Sequence, residues 1–268
     1  MTLNTTKPAS KPPRILVYGP QKIGKSSFGA LADRPVFIQT EDGLDAISVD
    51  SFPLTTLVEN GGRGYQGVME NLKSLAEEEH DFHTVVVDSL DWFEPMIHEQ
   101  VCKEHGVKNI EEVLKGYGKG YVQALNLFRE YITALERLRE ERGMTIIQIA
   151  HAQIRKFENP ETDIYDRYEI KLHKSAASLM MEHSDIILFA NYYVGVKKEE
   201  KGMSKDGRKR AVGTGERVLY TEERPAFMAG NRYSLPSEIP FDVNGDYWQT
   251  IAAKVPFFNQ VEGETKHG

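Results

Sequence analysis

The chain has 268 residues, 40% of them apolar and 27% charged, with a formal net charge of −7 and a single cysteine, Cys102. These values describe a globular chain long enough for a large core, and they exclude an intramolecular disulfide framework and a multi-cysteine zinc site. No apolar run could span a bilayer and no secretory signal opens the chain, so a cytoplasmic location is expected; the acidic balance leaves nucleic-acid contacts to local basic patches.

Residues 1–13 are polar, Pro-rich at their end and without apolar periodicity, and read as a flexible arm. Ile15-Leu16-Val17-Tyr18 reads as a buried strand. It runs straight into Gly19-Pro20-Gln21-Lys22-Ile23-Gly24-Lys25-Ser26, a complete phosphate-binding loop, and a helix is expected from Ser27 onward. Glycine lets successive N–H groups turn toward phosphate oxygens, and the helix start adds partial positive charge. Gly19 to Ser27 are therefore nucleotide-binding candidates. Lys25 is assigned to the β- and γ-phosphates and the Ser26 hydroxyl to magnesium.

Val36 to Gln39 reads as a second strand, Glu59 to Gly67 as a Gly-rich loop, and Val68 to Glu79 as a helix. Thr84-Val85-Val86-Val87-Asp88 has the β-branched pattern of a central parallel strand. Leu125, Phe128, Ile132, Leu135 and Leu138 recur at helical steps between Tyr121 and Arg142. Thr145 to His151 and Asp185 to Ala190 read as further buried strands. Strands alternating with helices predict an α/β fold with a mostly parallel, doubly wound sheet. From Tyr192 the pattern changes to β with turns, including a basic tongue within about residues 192–222, and residues 259–268 read as a flexible tail. One core over residues 14–258 is expected.

Asp88 ends its strand on the side of the sheet where the phosphate loop belongs, so it is the second magnesium candidate, with Ser89 beside it. Asp91 suits a helix N-cap better than a ligand. Glu41 follows the second strand directly and can act as general base on an attacking water; Asp42 is its rival. Arg155, Lys156, Arg167, Lys171 and Lys174, interleaved with Phe157, Tyr165 and Tyr168, can track a nucleic-acid backbone while rings stack on bases. Glu158, Glu161, Asp163, Asp166 and Glu169 nearly cancel that charge. Lys115-Gly116-Tyr117-Gly118-Lys119-Gly120-Tyr121 is either a second such loop or a helix-start turn. His80, His83, His98, His105, His173 and His183 lack metal-ligand spacing, and Trp92 and Trp248 are expected in packing.

The Gly-Pro phosphate loop, the strand leading to Glu41 and Leu44-Asp45, and the strand ending Val87-Asp88-Ser89 resemble the RecA-type ATPase core. The strand ending Ile149-Ala150-His151 is similar to the RecA strand that ends in a γ-phosphate sensor, although His151 stands where RecA has an amide. Asn231-Arg232-Tyr233-Ser234-Leu235-Pro236 resembles the segment that reaches the ATP of an adjacent subunit, with Gly230 in place of one of its paired basic residues. The run from His151 to Phe157 and the Gly230-Asn231-Arg232 turn look like the short phage-encoded RecA-like recombination and annealing proteins. That resemblance implies a RecA-like P-loop ATPase using ATP and Mg2+, assembling as a homo-oligomeric ring or filament on single-stranded DNA, with a single-strand binding protein as a further partner. In it Lys25, Glu41, His151 and Arg232 serve catalysis, the last in trans. A helicase-type motor, a nucleotide-gated DNA-binding module with little turnover, and a P-loop kinase are the alternatives.

Overall fold

Five strands carry apolar runs buried on both faces, and together with one short, exposed edge strand they form the parallel centre of the molecule. In chain order the strands are β1 (Arg14–Gly19), β2 (Pro35–Gln39), β3 (Asp50–Ser51), β4 (Thr84–Asp88), β5 (Thr145–Phe157), β6 (Tyr165–Ile170), β7 (Ile186–Lys197), β8 (Arg210–Tyr220), β9 (Gly230–Asn231) and β10 (Glu238–Pro240). The computed structural model describes residues 9–160, 163–197, 210–242 and 245–259. Across the sheet the order is β10-β8-β7-β1-β5-β4-β2-β3, with β6 pairing β5 and β9 pairing β7. The path from β7 to β3 is parallel, whereas β8 and β10 run antiparallel.

Alternation along each strand sorts side chains into two cores. Leu16 and Tyr18 of β1, Val85 and Val87 of β4, and Ile146 and Ala150 of β5 face one side. There they meet α2 (Gly64–Glu77), α3 (Leu90–His105), α4 (Lys119–Glu141) and α5 (Lys174–His183). Ile15, Val17, Val86, Ile147 and Ile149 face the other side, against Phe28 of α1 (Lys25–Ala30) and Tyr247 and Ile251 of α6 (Tyr247–Ala252). This is the helix-flanked, mostly parallel α/β sheet expected from the sequence, with antiparallel pairing added on one edge. Among the described residues no helix is long and apolar enough to cross a membrane.

Register aligns the strand ends that matter. Gly19 lies opposite His151, Asp88 opposite Ile149, and Gln39 opposite Asp88, so the ends of β1, β4 and β2 meet His151 of β5 at one edge. The opposite edge is closed by ion pairs. Asp185, just before β7, accepts from the Arg14 guanidinium at 2.9 and 2.7 Å and lies 3.4 Å from Arg139 and 3.1 Å from Arg232. Burial works against its ionisation, but the bonds from Arg14 prevail and hold Asp185 below the usual carboxylate range.

Several elements differ from the sequence reading. α3 starts after Ser89, two residues ahead of the cap expected at Asp91, and runs on through Pro95. β5 runs six residues past His151, leaving the buried sheet and pairing with β6 as a hairpin. The Gly-rich stretch before residue 68 supplies the first turn of α2. Gly116 to Gly118 form a helix-start turn, with Gly118 at φ 71° as the N-cap of α4. Trp92 is half exposed, whereas Trp248 packs on Phe28 with ring centroids 4.6 Å apart. The basic residues Lys198, Lys205, Arg208 and Lys209 of the expected tongue lie outside the described residues.

Candidate active site

The phosphate loop folds where β1 ends because two glycines meet demands that other residues cannot. A Cβ at Gly19 would lie 2.2 Å from the Ala190 carbonyl oxygen of β7. Gly24 has φ 111°, in the left-handed region, and caps α1. Between them Lys22 also takes a positive φ of 61°. Arg217 of β8 donates to the Ile23 carbonyl at 3.1 Å and braces the loop from outside, a role without any signal in the sequence.

Lys25 is buried and its ammonium donates to the Gly19 and Pro20 carbonyls at 3.2 and 2.8 Å, curled inside the loop. Burial pulls it below its ordinary value, against the opposing charges of Asp88, Asp91 and Glu41. The Ser26 hydroxyl donates to Asp88 Oδ2 at 2.6 Å. Burial pushes the Asp88 carboxyl up; the Ser26 bond opposes this, Glu41 adds to it, and Lys25 and His151 oppose it. A hydroxyl and a carboxylate converging beside a phosphate loop are hard oxygen donors that suit Mg2+.

Thr40 carries the end of β2 onto the end of β4. Its N–H donates to the Asp88 carbonyl at 2.8 Å, and its hydroxyl both donates to the Ser89 carbonyl at 2.7 Å and accepts from the Ser89 N–H at 2.8 Å. That lock places Glu41 beside the site, where its Oε2 accepts from Ser89 Oγ at 3.3 Å and lies 3.8 Å from His151 Nδ1. Asp42 is exposed. Asp91 is no N-cap: Ser89 occupies that position, and the Asp91 carboxylate instead accepts from His151. Burial opposes ionisation of Asp91, but the ring and backbone bonds from His151 hold it below the usual range.

Lys25, Ser26, Asp88, Glu41 and His151 are thus brought together, and Arg232 is not. Arg232 lies at the opposite edge, paired with Asp185. The residues expected to contact DNA are split. Lys156 and Lys174 are exposed, and Arg155 donates to the Leu172 carbonyl at 3.1 Å with Glu169 at 3.8 Å. Arg167 corrects the expectation: it is 4% exposed, pairs with Glu223, donates to the Phe227 carbonyl and lies over the Phe157 ring. Its charge is used inside the hairpin because a buried guanidinium needs partners.

Behind Asp91 on α3, Glu94 accepts the His173 N–H at 2.9 and 3.0 Å, and His98 and His173 flank the Tyr121 ring. Among the described residues no group of three or more His, Cys, Asp or Glu could hold a metal. Burial pushes the Glu94 carboxyl up to about 7, partly relieved by His173 and Arg155 while Asp91 adds to it. Burial and the charge of His173 push His98 down to about 4. Glu94, with its raised native value, stabilises the fold fully below its ordinary 4.5 and loses that contribution as pH rises to about 7. His98, with its lowered value, contributes fully above 6.5 and loses it as pH falls toward 4. Glu94→Gln keeps an acceptor for His173 without the charge. Thermal melts should show the variant more stable than wild type at pH 8, by about 1–2 kcal/mol, with no gain at pH 5.

A family model described as AAA domain matches residues 11–233, a span that contains every residue of this site. The SPbeta prophage-derived uncharacterized protein YorG of Bacillus subtilis (strain 168) is 27% identical over 192 residues, 70% of this chain and 53% of its own length. The chain therefore spans about half the length of that curated relative. Among solved structures, that of the RadB recombinase is 14% identical, covers 88% of this chain and 90% of its own, and has a TM-score of 0.43. That of the flagellar accessory protein FlaH from Methanocaldococcus jannaschii is 12% identical, covers 87% and 85%, and has a TM-score of 0.37. Scores this low carry no functional argument. The family match over 11–233, together with a complete phosphate loop at the end of β1 in a mostly parallel sheet, establishes that the chain belongs to the AAA domain family of P-loop ATPases.

Proposed function

We propose that this chain binds and hydrolyses ATP with Mg2+ and uses the nucleotide to control single-stranded DNA held on the β5–β6 hairpin of an oligomer. The observation that carries this reading is the convergence of Lys25, Ser26, Glu41 and His151 on Asp88, with the strand of His151 continuing into the hairpin bearing Arg155 and Lys156. Ser26 and Asp88 would hold the ion, which when bound would neutralise charge on the phosphates. Lys25 leaves the loop carbonyls for the β- and γ-phosphates. Glu41 takes a proton from water as the water oxygen bonds to the γ-phosphorus and the bond to the β,γ-bridging oxygen breaks, releasing ADP and phosphate. His151 senses the γ-phosphate.

Arg232 acts on a neighbouring subunit. Its place at the far edge of the sheet and its 63% side-chain exposure support a contact between copies over one within its own site. Arg155, Lys156, Lys171 and Lys174 serve the DNA backbone, while Arg167 shapes the hairpin that presents them. Ile154 and Ile164, both about 60% exposed on the hairpin, offer apolar surface for bases.

Steady-state ATP hydrolysis by wild type and Lys25→Ala, with and without single-stranded DNA at low and moderate salt, tests the reading. Wild-type turnover should rise with DNA and fall as salt increases, and Lys25→Ala should lose at least about 10²-fold. Turnover indifferent to DNA, with no DNA binding in ATP, would leave an ATPase with some other partner.

A further inference from the structure

Asp91 lies in the first turn of α3 with its side chain only 1% exposed, and a carboxylate there needs partners. It finds them on two other segments. Oδ1 accepts the His151 backbone N–H at 2.9 Å, and Oδ1 and Oδ2 lie 3.2 and 3.0 Å from His151 Nδ1. Lys171 Nζ, one residue beyond β6, is 3.6 Å from Oδ2. Lys171 also donates its backbone N–H to the His151 carbonyl at 2.9 Å, which closes the base of the hairpin on the residue that Asp91 holds. Gln153 donates to the Ile170 carbonyl and Arg155 to the Leu172 carbonyl, so the hairpin base is stitched and moves as a unit.

The same ring nitrogen faces Glu41 Oε2 at 3.8 Å. One Nδ1–H satisfies one carboxylate, and the shorter distance gives it to Asp91. Glu41 thereby keeps that oxygen for water, and any charge that draws the imidazole toward the nucleotide must loosen the contact with Asp91. Loosening it releases Lys171 and the hairpin base together.

We propose that Asp91 is a positioning residue that holds the His151 imidazole off Glu41 and transmits the state of the nucleotide site to the β5–β6 hairpin. This rests on the active-site reading above and adds a residue that reading does not use. A contact that merely stabilised the fold would, on removal, loosen the hairpin equally with every nucleotide. A latch would abolish the difference between nucleotides.

The test uses the full chain, with hydrogen exchange over residues 151–157 and 165–172 in Mg2+ with ADP or a non-hydrolysable ATP analogue, and nucleotide affinity by fluorescence titration. In wild type the two nucleotides should give hairpin exchange rates differing by about threefold or more. Asp91→Asn should bind the analogue within about threefold of wild type but show no such difference, with kcat about tenfold lower and KM little changed. Lys171→Met, at an exposed position that spares the core, should reduce the difference to about half and stands in if Asp91→Asn does not fold. A difference preserved in either folded variant overturns the assignment. Wild type that binds the analogue without any hairpin response overturns it while leaving the ATPase reading intact. Wild type that binds no nucleotide overturns both.

Discussion

Asp88→Asn should lower Mg2+-dependent ATP turnover by at least about 10²-fold while making the nucleotide-free protein more stable at pH 8. Both effects come from one buried charge. The asparagine carbonyl still accepts from Ser26 and fills the same space, so little packing is lost. What disappears is the carboxylate proposed to support the ion. Burial raises the native Asp88 above its ordinary value, and Glu41 contributes in the same sense. A carboxyl raised in the native state contributes its stability below the ordinary carboxylate range and loses it as pH rises through the native value. Wild type therefore bears a cost that grows as pH rises above the ordinary carboxylate range, and the asparagine variant does not. Melts without nucleotide at pH 8 and pH 4, with turnover measured in parallel, check both halves. A variant less stable than wild type at pH 8, or one retaining more than about a tenth of wild-type turnover, would remove Asp88 from the role given to it.

Glu41→Gln should lower kcat by about 10²- to 10⁴-fold and leave ATP affinity within about threefold. The Glu41 side chain accepts from Ser89 and faces His151, and among the described residues it makes no hydrogen bond or ion pair with the phosphate loop, so the loss belongs mainly to the chemical step. The variant should therefore hold ATP and, if DNA control follows the nucleotide, hold DNA as well. Asp42→Asn is the matched control. That side chain is exposed, and its loss should change kcat by less than about twofold. Single-turnover hydrolysis and nucleotide titration on both variants decide between the two carboxylates; the reverse pattern would hand the general-base role to Asp42. A DNA-binding activity untouched by Glu41→Gln would favour a nucleotide-gated binding module over a turnover-driven one.

The residues best read from sequence are those whose chemistry and position are local. The phosphate loop is contiguous, Asp88 ends a β-branched run, and Glu41 follows a short strand. Each could be placed by counting from a strand end. The residues that were missed or misread depend on what lies across the sheet. Asp91 looks like a cap in the sequence, and only the parallel pairing of β4 and β5 brings His151 onto it. Arg167 looks like a free basic residue until β6 folds back on β5 and Glu223 and Phe227 close over it. Arg217 is separated from Ile23 by 194 positions, a distance no periodicity can bridge.

By itself the sequence located the central strands and the phosphate-loop motif of this protein. Continuous apolar runs in β1, β4 and the first half of β5 specify strands buried on both faces, and Gly19, Gly24, Lys25 and Ser26 spell a phosphate-binding loop. The tertiary structure alone decided which charges are spent and which are offered. It placed Arg232 in an ion pair at the far edge, buried Arg167 in the hairpin, and set His151 between Asp91 and Glu41. The physical reason is that backbone patterning acts over a few residues, whereas the state of a charge depends on burial and on partners that long-range strand pairing supplies.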